Sequence, residues 1–369
     1  MRSENKLSED SRTTKMGLMR VVVVAVWCAV FVMHAEFPVS NGELSSTFYN
    51  ETCPLLYDTV YGVIYDASLT DTRIGASLIR LHFHDCFVQG CDASVLLNNT
   101  ATIESEQDAT PNNNSLRGLD VVNNIKTALE NICPATVSCA DILAIAAEVG
   151  SALGGGPSWS VLLGRRDSLT ANRTLANLNL PAPSSTVDEL IENFANQGLN
   201  TTDLVALSGA HTFGRATCST FDDRLYDFNG TGSPDPTLDT TYLELLSEIC
   251  PQDATVDNLT NLDLTTPNEF DNKYYSNLQN LNGLLQSDQE LFSTSDADTI
   301  ALVNSFSSDQ SVFFANFIVS MIKMGDIGVL EGDEGQIRLQ CNFVNGDSSG
   351  LVGGVTAKDP KYKIVAQSK

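Results

Sequence analysis

Eight cysteines follow residue 42 of this chain, at Cys53, Cys86, Cys91, Cys133, Cys139, Cys218, Cys250 and Cys341. No pair has the Cys-x2-Cys spacing of a zinc ribbon, so a metal cluster is the weaker reading. An even count instead fits four disulfides made in an oxidising compartment, although sequence alone permits about 105 pairings of eight cysteines. The ninth cysteine, Cys28, sits inside an apolar run from Leu18 to Met33 flanked by Lys15 and Arg20. That run is short for a membrane span, and the small residues Ser40 and Gly42 precede Glu43. Residues 1–42 therefore read as a signal peptide, with an uncleaved anchor as the alternative. Seven Asn-X-Ser/Thr sequons, at Asn50, Asn98, Asn113, Asn172, Asn200, Asn229 and Asn258, also suit a secreted glycoprotein.

At 369 residues the chain can bury a large core, as one domain or two packed lobes. Its 46 acidic residues outnumber 21 basic ones, for a net charge of −25. Without clustered Lys and Arg, the charge argues against a nucleic-acid face or an anionic membrane surface as a partner. Neutral molecules and cations remain.

The periodicity is mostly helical. CADILAIAAEVGSAL follows a good N-cap in Ser138; Leu119, Val122, Ile125, Leu129 and Ile132 recur at helical steps. Phe313, Phe317, Met321 and Met324 form a second stripe, read as core. Strand-like alternation is scarce, so the fold class is mainly α. Pro181-Ala-Pro183 is a stiff, extended connection between two halves. From residue 346 the tail is Gly- and Ser-rich, then basic, and reads as an extension beyond the folded unit.

The densest chemistry lies in RLHFHDCFVQGCDAS, Arg80 to Ser94. If residues 74–85 are helical, Ile74, Leu78 and Leu81 share an apolar face. Arg80 and His84 then point together from another face, beside Phe83. An imidazole base with a fixed positive charge suits cleavage of an O–O bond: the base moves a proton between the oxygens while the cation supports the departing one. The plainer alternative is a core histidine with a salt-bridged arginine. A zinc hydrolase using His82 and His84 is disfavoured, because an i, i+2 pair does not share a helix face. Asp85, Asp92 and Ser94 supply hard oxygens, and Gly90 lets the backbone turn so that carbonyls can join them, as a calcium site requires.

These residues resemble the secreted plant haem peroxidases, the family of horseradish peroxidase. RLHFHDCFVQGCDAS is similar to its distal signature and DLVALSGAHTFG, Asp203 to Gly214, to its proximal one. SCADILAIAA, GGPSW, LGRRDS, NLPAP, TPNEFDNKYY, GLLQSDQELF and GQIRL follow in family order, so the resemblance covers residues 43–345. It implies two helical lobes sandwiching haem b, two calcium ions and four disulfides. It further implies a monomeric enzyme that reduces hydrogen peroxide to water while two small aromatic donors each lose one electron. Such activity is associated with lignification, phenol oxidation and the response to oxidative stress.

By the same resemblance His211 would be the axial ligand of the haem iron, with Asp288 accepting its other ring proton. His84 would be the acid–base group, Arg80 the charge stabiliser, Phe83 the wall of the cavity and Asn112 the partner that keeps His84 basic. Glu106 would link that network to a distal calcium held by Asp85, Val88, Gly90, Asp92 and Ser94. A proximal calcium would use Thr212, Asp263, Thr266, Glu269 and Asp271. Pro181 would offer its carbonyl to the donor. The implied bridges are Cys53–Cys133, Cys86–Cys91, Cys139–Cys341 and Cys218–Cys250, each contributing about 2–4 kcal/mol. Glu269 stands where an apolar residue often supplies only a carbonyl. Thr110, Ser184 and Thr220 replace rings that can line the access channel, and Leu262 replaces a Phe sometimes packed on the proximal imidazole. The expected destination is the extracellular space or cell wall, with the vacuole, through residues 346–369, as the alternative.

Overall fold

A computed structural model describes residues 44–347; the expected signal peptide, residues 1–42, and most of the expected C-terminal extension lie outside these residues. Thirteen α-helices make up the described chain: α1 Leu56–Ser68, α2 Ile74–Cys86, α3 Leu119–Ile132, α4 Cys139–Leu153, α5 Arg173–Asn179, α6 Val187–Asn196, α7 Thr201–Ser208, α8 Asp222–Tyr226, α9 Thr240–Ile249, α10 Lys273–Gln279, α11 Gln286–Ser293, α12 Thr299–Ser308 and α13 Gln310–Gly325. Two three-residue strands, β1 Arg215–Thr217 and β2 Leu259–Asn261, pair antiparallel with Arg215 opposite Asn261. The mainly α expectation therefore holds. None of these helices is long and apolar enough to cross a membrane.

Short polar side chains set the helix starts, because the first N–H groups of a helix have no partner inside it. Ser138 accepts from Asp141 N to begin α4. Reciprocal capping boxes, Thr186 with Glu189 and Asn200 with Asp203, begin α6 and α7.

The first lobe packs α1–α4 around Val60, Ile64, Leu78, Leu81, Val122, Ile125, Leu129 and Ile142. Helices α2 and α4 meet through glycines: a Cβ on Gly75 would stand 2.8 Å from Gly150 O, and one on Gly150 would stand 2.8 Å from Gly75 O. The small residues let the backbones approach and fix α2 in place. The second lobe packs α6, α7 and α10–α13 around Phe194, Val205, Phe270, Tyr275, Phe313 and Phe317. Phe313, Phe317, Met321 and Met324 are all buried, as their spacing predicts. Helix α2 contributes to both lobes: Ile74, Leu78 and Leu81 face the first core, and Ile79 and Cys86 the second. One stripe residue departs from expectation. Ile132 is 44% exposed, because it ends α3 where the chain turns away to Cys133, and the buried place on that face is taken by Lys126, which donates to Val137 O.

The cysteines pair as the resemblance implies, Cys53–Cys133, Cys86–Cys91, Cys139–Cys341 and Cys218–Cys250. The third bridge spans 202 residues and ties the end of the described chain to the first turn of α4. His82, Cys86 and Cys91 lie close together, but both sulfurs are spent in a disulfide, leaving no thiolate for a metal. Buried beside Arg165, His82 is pushed down to about 3, first by burial and then by that charge; it is a neutral core residue.

Candidate active site

Helix α2 carries Arg80, Phe83, His84 and Asp85 within two turns. His84 is 7% exposed, and its Nδ1 lies 2.5 Å from Asn112 Oδ1. The amide of Asn112 is oriented by its own donor, because Nδ2 gives a hydrogen bond to Glu106 O at 2.8 Å. Only the amide oxygen is left for the imidazole, so Nδ1 carries the proton and Nε2 keeps a free lone pair. Burial, then the charge of Arg80, hold His84 well below the ordinary histidine value against the opposing pull of Asn112. This ring is a base over the neutral range.

The Arg80 guanidinium is fastened to the loop after Ala109, donating to Pro111 O at 3.0 Å, to Ser115 O at 2.9 Å and to Ser115 Oγ at 2.9 Å. Burial lowers its pKa to about 10, so it stays charged at neutral pH. That charge acts on both His84 and His211, so the three groups are within electrostatic reach of one another. Phe83 stands edge-on to His84 at 5.7 Å and packs on Phe87 at 4.1 Å, which fixes the ring as a wall.

His211 sits in the 3-10 turn Gly209–Thr212 that continues α7. Its Nδ1 lies 2.8 Å from Asp288 Oδ1 at the start of α11, with the imidazole 37% exposed and the carboxylate 3%. A carboxylate can only accept, so Nδ1 donates and Nε2 keeps a free lone pair. Burial alone would lower the His211 pKa; the Asp288 charge and hydrogen bond outweigh it and raise it. Sequence reasoning gave no role to Tyr274, yet its hydroxyl donates to the same Asp288 Oδ1 at 2.9 Å. The signal was present in TPNEFDNKYY, but only tertiary contact tells which tyrosine reaches Asp288; the next, Tyr275, donates to Val205 O.

Asp85, Asp92 and Ser94 converge behind α2. Asp85 accepts from Ala93 N and Asp92 from Ser94 N, each at 2.9 Å. Both carboxyls are pushed up, Asp85 by burial and then by Asp92, and Asp92 chiefly by burial. Among the described residues, two buried oxygens, Ser94 Oγ and Glu106 Oε2, have no partner at hydrogen-bond distance. Gly90 adopts φ +126 where its backbone meets Gly328, and a side chain would collide there. A set of anionic and neutral oxygens with unpaired members fits a hard divalent cation. The Val88 and Gly90 carbonyls lie in the same loop, which Arg338 braces from behind through Ala93 O and Ser168 O, each at 2.7 Å. Glu106 reaches Asn112 through its main-chain carbonyl. Its carboxylate instead accepts from Asn172 N at 2.9 Å.

A second oxygen cluster follows His211. Thr212 Oγ1 donates to Asp271 Oδ1 at 3.1 Å and lies 3.4 Å from Asp263 Oδ2; Thr266 Oγ1 is buried without a partner. Burial raises the Asp263 pKa despite hydrogen bonds from Thr266 N, Thr265 N and Asn277. The Glu269 side chain is exposed and joins none of these bonds, so only its main chain is suited to the cluster. Pro181 is half-buried, and among the described residues its carbonyl accepts no hydrogen bond; Pro183 O takes Ser287 N at 2.9 Å, holding this segment on α11. Thr110 and Ser184 are exposed and Thr220 half-buried, while Leu262 is partly buried against the apolar cluster that contains Phe221, Leu225 and Leu284.

A base with a free Nε2, a fixed cation and a carboxylate-backed imidazole are equipment for moving protons. Comparison with known proteins gives the family. Residues 60–309 match the family model described as peroxidase. Peroxidase 15 of Ipomoea batatas is 59% identical over 88% of this chain and 98% of its own length. Peroxidase 54 of Arabidopsis thaliana is 55% identical over 88% of this chain and 91% of its own. The lignin-forming anionic peroxidase of Nicotiana tabacum is 56% identical over 86% and 98%. The chain belongs to the plant peroxidase family and is a peroxidase, an oxidoreductase that uses hydrogen peroxide; the family implies haem as its cofactor.

Proposed function

We propose that His211 Nε2 ligates the haem iron and that His84 is the acid–base group facing it. Haem b supplies the iron at which peroxide is reduced and the redox capacity that couples one peroxide to two one-electron donors. Asp288, held in position by the Tyr274 hydroxyl, draws on the Nδ1 proton of His211 and makes its Nε2 more electron-rich, which favours an oxidised metal. His84 Nε2 takes the proton from one peroxide oxygen and returns it to the other. Asn112 holds the tautomer this requires, and the Arg80 charge offsets the negative charge that develops on the leaving oxygen. Phe83 confines the space. The free carbonyl of Pro181 accepts the hydroxyl of a phenolic donor.

Two calcium ions complete the reading: a distal one on Asp85, Asp92, Ser94 and the carbonyls of Val88 and Gly90, with Glu106 beside it, and a proximal one on Thr212, Asp263, Thr266, Asp271 and the Glu269 main chain. The supporting observation is the set of buried unpartnered oxygens, Ser94 Oγ, Glu106 Oε2 and Thr266 Oγ1. Likeness to a relative named lignin-forming and anionic, together with the net charge of −25, favours lignin precursors as donors. The protein acts as a monomer. Residues 1–42 direct secretion, residues 43–345 are the catalytic domain, and residues 346–369 are a trailing extension that offers a vacuolar route instead of the wall.

The observation that carries the reading is the pair of imidazoles, His84 and His211, each with Nδ1 committed and Nε2 free. A visible spectrum of the purified protein tests it. The expected result is a Soret band that shifts on adding peroxide and returns on adding a phenol. Failure to take up haem on reconstitution overturns the His211 assignment, and a band indifferent to peroxide overturns that of His84.

A further inference from the structure

Nine tyrosines occur in the chain, and among the described residues the exposed ones all stand on α1: Tyr57 at 44%, Tyr61 at 42% and Tyr65 at 44%. Steps of four residues put them on one helical face, and the rings of Tyr61 and Tyr65 stack at 6.1 Å. The others in the described residues are buried or half-buried.

Tyr57 differs from its neighbours in one respect. Its hydroxyl donates to Oε2 of Glu148 on α4, a carboxylate with no exposure to solvent, whose other oxygen accepts from Ser158 Oγ at 2.5 Å. Among the described residues, Tyr61 and Tyr65 have no hydrogen-bonded base. Tyr57 thus presents its ring to solvent and its proton to a fixed acceptor inside the protein. Oxidation of a phenol converts it into a strong acid, so an electron leaves most readily where the proton can leave with it. An acceptor already in hydrogen-bond contact removes the cost of forming a charged intermediate. Burial and the Glu148 carboxylate hold the Tyr57 phenol well above its ordinary value, so the proton stays on Tyr57 until the electron departs.

We infer that Tyr57, with Glu148 as its proton acceptor, is a surface oxidation and coupling site at which aromatic radicals released by turnover become covalently attached to the enzyme. This rests on the peroxidase reading, which supplies the radicals. One donor phenoxyl radical takes an electron from Tyr57 and is reduced to the phenolate. The phenol proton passes to Glu148, and from there through solvent to the phenolate, regenerating the donor phenol. The tyrosyl radical then couples with a second phenoxyl radical through a new carbon–carbon bond, and the two displaced ring hydrogens return to the phenolic oxygens. In sum, Tyr57 and two donor radicals give one Tyr57–donor adduct and one donor phenol. The enzyme is thereby tethered to the phenolic material it makes.

The experiment turns over the holoenzyme with hydrogen peroxide and coniferyl alcohol, then maps adducts by peptide mass spectrometry. The expected label on Tyr57 is the donor mass less two hydrogens. Tyr61 and Tyr65, equally exposed on the same helix, serve as internal controls and carry much less. Tyr57→Phe loses the adduct and keeps its turnover of the small donor. Glu148→Gln keeps the phenol and lowers labelling at Tyr57 toward the level of its neighbours, a fall on the order of a hundredfold if the carboxylate acts as a positioned base of ordinary strength. Equal labelling of the three tyrosines in the unaltered enzyme overturns the inference, and that result needs no variant to fold. Labelling of Tyr57 undiminished in a folded Glu148→Gln enzyme overturns the role of the carboxylate. Donor consumption in the same sample separates these outcomes from failure of the peroxidase reading, in which no donor is consumed.

Discussion

Removing calcium from the distal loop should reverse how stability responds to pH. With a cation in place, Asp85, Asp92 and Glu106 are neutralised as a group; without it, each carboxyl answers to its surroundings. Burial, and then the Asp92 charge, push Glu106 from 4.5 up to about 7, against the hydrogen bond from Asn172 N. A carboxyl whose folded pKa exceeds its unfolded one favours the fold below the unfolded value. It surrenders that advantage as pH rises through the folded value. At roughly 1.4 kcal/mol per unit, the loss between about pH 5 and pH 8 comes to roughly 2–3 kcal/mol for Glu106 alone. Asp85 and Asp92 shift in the same direction and add to it. A domain of this size loses roughly 2–4 °C per kcal/mol, so the chelated holoenzyme should melt at least about 5 °C lower at pH 8 than at pH 5. Calorimetry at the two pH values, before and after restoring calcium, measures this. Calcium should recover the loss at pH 8, and Glu106→Gln, which removes the titrating group at similar volume, should flatten the chelated slope. A chelated protein whose melting temperature stays level or rises with pH refutes the reasoning, as does chelation that releases no calcium.

The other expectations concern the imidazoles. His84→Ala should keep its Soret band yet react with peroxide about 10²–10⁴ times more slowly, the range for loss of a positioned base; stopped-flow mixing would show it, and a near-normal rate would remove His84 from the mechanism. Asn112→Val takes away the acceptor that fixes Nδ1–H, so the same rate should fall while haem content is unchanged. Because His84 is held well below the ordinary histidine value, its base form persists as pH drops; the rate with peroxide should pass through the region near pH 6.5 without an inflection and decline only in more acid solution. Asp288→Asn weakens the charge behind His211 and should raise the iron reduction potential, read by spectroelectrochemistry.

Sequence alone determined what is local and periodic. The helical step placed Arg80 and His84 on one face of α2, the Ser138 cap placed α4, and the buried Phe313-to-Met324 stripe followed from the spacing of its apolar residues. Motif order carried the resemblance, and with it the disulfide pairing and the partnership of His211 with Asp288, 77 residues apart. Tertiary structure decided which neighbour touches which, because a hydrogen bond depends on ångström-scale approach between segments whose spacing in sequence says nothing of it. Only folding brings Tyr274 to Asp288, swings the Glu106 carboxylate toward Asn172 while its carbonyl holds Asn112, and sets Arg338 behind the loop of Asp92. The same holds for Tyr57 and Glu148, 91 residues apart: each is ordinary in its own helix, and the pair exists because α1 and α4 pack into the same core.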